Sequence, residues 1–406
     1  MNKINFMRLI TADYIFPISE TPIANGYLLI NKNGEIVALF NEEEVKKNNF
    51  ENLPIEKHHG IICPGFINSH CHLELSYLKN LVPQKKGLAD FVWDLQKIRN
   101  QYSEQEIHNA IENADQQMYT NGIVAVGDIC NGSSTFATKA KSKIKYYNFI
   151  ELFGFENDKA DEVFNRALLL KDELVNTASA NADFSIIPHS PYSVSTKLFK
   201  KISEACYANG NIISMHSQET EDENTLFKYK SGKIAEMLLS FGLNLEQWKP
   251  TGFNSMPSVM VNLPKCNKTL LVHNTFTSTE DIEWANNYSK MIWWCFCPNA
   301  NEYIENKLPD FSLFNRLKNR LTIGTDSLAS NHTLSILDEL KVIQNKTEQF
   351  SLNELLKMAT QNGADFFGYE ALGNFEKGKI PGVNLITHVN MERLKLTEHS
   401  AVVKLA

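Results

Sequence analysis

Between residues 61 and 326 the chain repeats one pattern: a short apolar run, a polar residue that closes it, then a longer stretch of helical periodicity. The runs are GIICPGFIN, GIVAVGD, IKYYNFIEL, FSIIPH, NIISMH, KTLLVHN, MIWWCFCP and RLTIGTD. Segments between them, such as SEQEIHNAIENADQQMYTNG and TKLFKKISEACYANG, read as helices. Apolar runs alternating with helices predict parallel strands joined by crossovers, since such strands are covered on both faces. About eight such units predict an α/β fold, a (β/α)8 TIM-type barrel. The longest gap follows the first run. Its segment LVPQKKGLADFVWDL predicts extra helical structure over the barrel mouth, able to fold across the opening and exclude water.

The two ends differ from this middle. GYLLINKNGEIVAL alternates apolar and polar residues around Asn33-Gly34, a hairpin signal. ALGNFEKGKIPGVNLITHVN, rich in glycine and β-branched residues, predicts strands again. The expected organisation is a barrel catalytic domain over 61–370. Residues 1–60 and 371–406 together form a small β-sandwich-like domain. A net charge of −7 argues against a nucleic-acid or anionic-membrane partner. No signal-peptide pattern and no bilayer-length apolar run is visible, so a cytoplasmic location is expected. The 7 cysteines are scattered without a CxxC pair, which predicts free thiols. Cys295 and Cys297 sit in an apolar run and read as packing.

Where each run ends carries the chemistry. In PGFINSHCHLELS, His70 and His72 leave a strand with alternate side chains on one face, so both imidazoles point to one place. HxH alone is weak evidence, but the event recurs. His189, His216, His273 and Asp326 each close another run, at the strand ends where barrel enzymes place their reactive groups. Three histidines and a carboxylate form a donor set suited to one Zn²⁺, with Fe²⁺ and Mn²⁺ as alternatives. His70, His72, His216 and Asp326 are the expected ligands. Glu219, three residues after His216, is placed to move protons beside the metal, and His273 to orient the attacking water.

These stretches resemble the amidohydrolase superfamily, in its branch of mononuclear-metal deaminases and chlorohydrolases. The matching pieces run in order: PGFINSHCHLE, PHSPYSVS, MHSQE, LLVHNT, CPNAN and IGTDSLASN. The resemblance implies metal binding by His70, His72, His216 and Asp326, acid–base work by Glu219 and water positioning by His273. Branches with two metals carry a lysine after the fourth strand; FSIIPHSPYS has none, which implies a single metal. His189 matches a position that meets sugar hydroxyls in nucleoside deaminases of the branch. HLELS is similar to the aminodeoxyfutalosine deaminases, which implies that Glu74 touches substrate, while SQETEDENTLFKYKSG departs from that subgroup. The family's usual aspartate near the end is Asn384 here. Trp93 has two readings, stacking on a planar base or packing its helix.

The expected activity is deamination of an amino-substituted heterocycle, an adenine-type nucleoside derivative, by hydroxide formed at the metal, with release of ammonia. Asp326 accepts the water proton and Glu219 protonates the ring nitrogen. The alternatives are hydrolysis of another C–N or C–Cl bond (amidine or halotriazine type) and an inactive binding protein. Nucleic-acid base editing would call for a cysteine-rich PCxxC pattern, which is absent. A homodimer is compatible with all of these readings.

Overall fold

A computed structural model describes residues 7–48, 50, 53–178, 182–246 and 248–406. The expectations for residues 1–6, 49, 51, 52, 179–181 and 247 fall outside the described residues. The chain divides into two compact units. One is Met1–Asn68, Gln116–Ala125 and Ser335–Ala406; the other is Ser69–Asp115 and Val126–Leu334.

The first unit holds two sheets. One has the order Ile36–Phe40, Tyr27–Asn31, Met7–Thr11, Ile55–Lys57. Its hairpin turns at Asn33-Gly34 as expected: Gly34 adopts φ 78°, and Asn31 Oδ1 accepts from Asn33 N and Glu35 N. The other sheet joins the two chain ends, because Val383–Thr387 pairs antiparallel with both Ile61–Pro64 and Ala401–Lys404. Ile10, Leu28, Ile30, Ile62, Phe375 and Val383 share one core cluster. Asn384 donates through Nδ2 to Gly122 O at 2.9 Å, a structural contact.

The apolar run GIICPGFIN is two strands rather than one. It breaks at Gly65, whose N–H donates to Pro381 O and which has no room for a Cβ, 2.3 Å from Val124 Cγ1. Ile61–Pro64 belongs to the antiparallel sheet just described. The strand that carries HxH starts at Phe66.

That strand, β1 (Phe66–Cys71), leads into the second unit. There follow β2 (Ile123–Cys130), β3 (Lys145–Leu152), β4 (Asp183–Pro188), β5 (Ile213–Ser217), β6 (Thr269–His273), β7 (Ile292–Phe296) and β8 (Leu321–Ile323). They form two four-stranded sheets, ordered β4-β3-β2-β1 and β5-β6-β7-β8. The pairs β3/β4, β5/β6, β6/β7 and β7/β8 are parallel. Backbone bonds link the sheets at both edges. His216 N donates to His189 O at 2.9 Å, while Thr325 N and Asp326 N donate to His70 O at 3.0 and 3.1 Å. Helices return the chain between strands. Thr196–Asn209, for example, is capped by Ser195 Oγ and closed by Gly210 at φ 65°.

After β1 come a 3₁₀ segment, Leu73–Leu78, and helix α1, Leu88–Ile98. The expected helical insertion is therefore present. It is anchored on the helix Pro298–Glu305, with Leu88 N donating to Glu305 Oε1 at 2.7 Å and Gly87 N to Ile304 O at 2.9 Å. All seven cysteines are free, Cys295 and Cys297 being buried. Among the described residues no helix is long and apolar enough to cross a membrane.

Gly60 tests the junction of the chain ends. It adopts φ 129°, and an added Cβ would lie 2.2 Å from the backbone oxygen of Ile386. Gly60→Ala should lower the unfolding free energy by roughly 2–4 kcal/mol in urea titration, while Gly132→Ala, in open space, should change it by less than about 0.5 kcal/mol.

Candidate metal centre

The strand ends of the second unit bring five donors together. Ligating atoms of His70, His216, His273 and Asp326 lie within 4.8 Å of one another. His72 joins them, its Nε2 being 3.2 Å from His216 Nε2 and 3.5 Å from Asp326 Oδ1; His70 Nε2 is 3.6 Å from the same oxygen. All are buried. Cys71, between His70 and His72, pairs through its backbone with Asp326.

The backbone is bent to achieve this. Gln218, His273, Asn274 and Asp326 all have φ between 50° and 76°. Such left-handed geometry costs roughly 1–3 kcal/mol at a residue other than glycine and persists only where the surroundings enforce it. Here they do: Asn274 Nδ2 donates to Leu271 O and Cys295 O, and Gln218 N donates to Glu223 Oε1. Ser330 Oγ hydrogen-bonds Asp326 Oδ2.

Hydrogen-bond partners assign the tautomers. His216 Nδ1 lies 2.9 Å from His189 O, which only accepts, so Nδ1 carries a hydrogen and Nε2 faces inward. His273 Nδ1 lies 2.8 Å from Asn301 Oδ1, leaving a lone pair on Nε2. That Nε2 is buried with no hydrogen-bond partner, and Glu219 Oε1 stands 3.6 Å away. Inward lone pairs at this spacing repel unless a proton or cation lies between them. Burial pulls His70 and His72 below the usual imidazole range and His273 to about 4, so these nitrogens stay unprotonated at neutral pH. Burial acts on His216 the same way, but its hydrogen bond to Glu151 and the nearby carboxylates outweigh it, to about 9, so without a cation a proton sits on its Nε2 facing His72 Nε2 at 3.2 Å, the place a cation would take. Burial would raise Asp326, but the His70 hydrogen bond and the surrounding imidazoles hold it well below the usual carboxylate range. Inward nitrogens beside an ionised carboxylate fit a divalent cation and suit Zn²⁺.

Glu219 follows the bend at Gln218, whose side chain is pinned by Asp281 and Thr277 at 2.7 Å each. The bend returns Glu219 to the cluster beside His273. Burial and the Asp326 charge push its carboxyl well above the usual range, which favours its protonated form. His189 and Glu74 also line the strand ends. His189 is half-buried, its ring 4.6 Å from that of His216 and 4.4 Å from Phe153. Glu74 is partly exposed, held by Asn131 N at 3.1 Å and Asn131 Nδ2 at 2.9 Å. Trp93 is not brought to the cluster. It lies on α1, and its indole N–H donates to Ser240 Oγ at 3.0 Å, the packing alternative of the two readings.

Sequence reasoning missed Glu151 and Asn301. Glu151, fully buried on β3, places Oε1 2.8 Å from His189 Nδ1 and 3.3 Å from His216 Nδ1. Its one signal is a charge inside the apolar run IKYYNFIEL. Glu151, His189 and His216 could also be grouped as cation donors. His216 Nδ1 already carries hydrogen, however, so Glu151 acts there as an acceptor.

Comparison with known proteins agrees with this architecture. The Amidohydrolase family profile matches residues 61–404. The aminodeoxyfutalosine deaminase of a Nitratiruptor species is 27% identical over 353 residues, covering 85% of this chain and 83% of that protein. The 5-methylthioadenosine/S-adenosylhomocysteine deaminase of Pyrococcus abyssi is 25% identical, covering 80% and 73%. The crystal structure of Helicobacter pylori aminofutalosine deaminase with methylthio-coformycin superposes with a TM-score of 0.78 at 21% identity, covering 98% and 97%. It shares the α/β fold of parallel sheets and helices.

Glu223 gives the neighbourhood a pH signature. It is fully buried and accepts from Ser255 Oγ at 2.5 Å and Gln218 N at 2.9 Å, and burial raises its carboxyl from 4.5 to about 7. A raised folded-state pKa favours folding below pH 4.5, an advantage lost as the pH rises through about 7. Glu223→Gln does not titrate. Its stability relative to the parent should therefore rise by on the order of 3 kcal/mol between pH 4.5 and 7.5, read by urea unfolding.

Proposed function

The chain belongs to the amidohydrolase family, and we propose that it is a metal-dependent deaminase of an amino-substituted heterocycle, an adenine-type nucleoside derivative. The observation that carries this reading is the convergence of inward imidazole nitrogens and Asp326, with the buried Glu219 carboxyl beside them. The deaminase relatives support the substrate class. We further propose that β1 to β8 close into one (β/α)8 barrel, for which the bonds at both sheet edges speak. The domain limits expected from the sequence, 61–370 for the barrel and 1–60 with 371–406 for the β domain, are proposed with one change: Ile61–Pro64, paired with Val383–Thr387, goes with the β domain.

His70, His72, His216 and Asp326 would hold one divalent ion, Zn²⁺ by donor type. When bound, such an ion supplies Lewis acidity that makes water nucleophilic near neutral pH. The protein's own groups do the rest. His273 Nε2, its tautomer fixed by Asn301, accepts a hydrogen bond from the attacking water and aims it. Asp326 Oδ1 accepts the proton that water loses. Glu219 donates its proton to the ring nitrogen next to the amino-bearing carbon, so negative charge does not build on the ring. Glu74 and His189 bind the nucleoside side of the substrate. Trp93 serves as a packing residue of α1.

The test is ammonia release by the metal-loaded protein. The panel is aminodeoxyfutalosine, methylthioadenosine, S-adenosylhomocysteine, adenosine, guanine and an aminotriazine. Release from an adenine-type compound is expected. Bound metal with no release from any member would move the assignment to another amidohydrolase reaction. Glu219→Gln should lower kcat by about 10²–10⁴-fold with bound metal unchanged. Zn²⁺ at about 100 times its Kd should raise the unfolding free energy by about 2.7 kcal/mol, an effect lost in His216→Ala.

A further inference from the structure

Beneath the turn that carries His72 and Glu74 lies a buried ion pair that the proposed reaction does not use. Lys139 ends the short helix α2, Phe136–Lys139. Its Nζ is 2.5 Å from Asp128 Oδ2, 2.9 Å from Asn148 Oδ1 and 3.2 Å from Cys130 Sγ. Neither charged side chain is more than 2% exposed. The rings of Tyr146 and Phe136 flank the ammonium at 5.2 and 5.8 Å. Burial opposes the charge on Lys139, and Asp128 beside it outweighs that.

Stability alone does not account for such a pair. Taking two charges out of water cancels most of what their attraction returns, and well-packed apolar replacements are often as stable or more so. The contact that leads out of the pair is informative. Asp128 Oδ1 accepts the Leu73 N–H at 2.8 Å. Leu73 is the residue between His72 and Glu74. Lys139 fixes one carboxylate oxygen from behind, so the other meets this one peptide in a charge-assisted hydrogen bond. The loop after the same strand, β2, supplies Asn131, which holds Glu74 by two further hydrogen bonds. The end of β2 thus grips the turn at two successive residues.

We propose that Asp128 and Lys139 are positioning residues that set the Leu73 peptide, and through it aim His72 at the cation and Glu74 at the substrate. The inference rests on cation binding by His72 and not on the identity of the reaction.

Two neutral double variants separate this role from a purely structural one. D128N/K139M removes both charges and keeps an amide oxygen for the Leu73 N–H. D128L/K139M removes that acceptor as well. Zn²⁺ affinity is measured by competition with a chelator, alongside thermal melting. D128N/K139M, which keeps an acceptor but loses the hold of Lys139 on it, should bind Zn²⁺ more weakly than the parent and more tightly than D128L/K139M; parental affinity would remove Lys139 from the proposal. D128L/K139M should fold, yet bind about tenfold or more weakly, the usual scale for losing a group that orients a metal ligand. On any substrate turned over by the parent, its KM should rise more than its kcat falls. A folded D128L/K139M with parental Zn²⁺ affinity overturns the proposal. Should D128L/K139M not fold, hydrogen exchange of K139M decides. Faster exchange confined to residues 70–78 supports positioning, and unchanged or uniformly faster exchange overturns it. A parent that binds Zn²⁺ without releasing ammonia would count against the deaminase reading and leave this one standing.

Discussion

His72 Nε2 and His216 Nε2 stand 3.2 Å apart, with the Asp326 carboxylate 3.5 Å from the first of them. Left to itself this arrangement would disperse, since inward nitrogens repel unless a proton or cation lies between them and water would solvate each group separately. The fold holds them by backbone. Each donor sits at or just past the end of a strand, and strand pairing fixes where those ends meet. The left-handed bends at His273 and Asp326 then turn the chain so that the side chains face one point. The energy of strand pairing and core burial is thereby spent in part on holding a site that a cation relaxes.

The carboxylates around the cluster divide the work by their surroundings. Asp326 faces imidazoles and stays ionised. Glu219 is buried close to that negative charge and is shifted toward its protonated form. Two carboxyl groups with opposed proton states in one pocket are what an acid and a base acting together require. Glu151 lies behind both histidine layers. Its single oxygen serves His189 and His216, so a shift of the half-buried ring reaches the inner one through a shared acceptor.

The sequence made the inner circle legible because each of its members ends an apolar run. One polar side chain closing one run is commonplace, whereas His or Asp closing several strands in turn points to a shared centre. The supporting residues were not legible for the opposite reason. Glu151 sits inside a run, Asn301 on a following helix, and Lys139 on a helix of one turn beside a strand two elements away from the residues it serves. Their partners are distant along the chain, and no periodicity marks them. The same limit applies to GIICPGFIN, where composition is continuous but Gly65 divides the strand, and the division comes from backbone approach rather than hydrophobicity. Trp93 shows that an aromatic on a covering segment is uninformative until its neighbours are known.

The edge where β1 meets β8 has a consequence for how the protein is made. His70 and His72 emerge from the ribosome early, whereas Asp326 and the peptides that bond to His70 O come from the last of the eight strands. A nascent chain that lacks β8 can offer imidazoles to a passing ion but cannot enclose it. Enclosure waits for a contact between residues 70 and 326, far apart in sequence, a class of contact that forms slowly because the intervening loop entropy is lost first. Firm capture of the ion would then report that β8 has docked, making cofactor loading a late event in the making of the molecule.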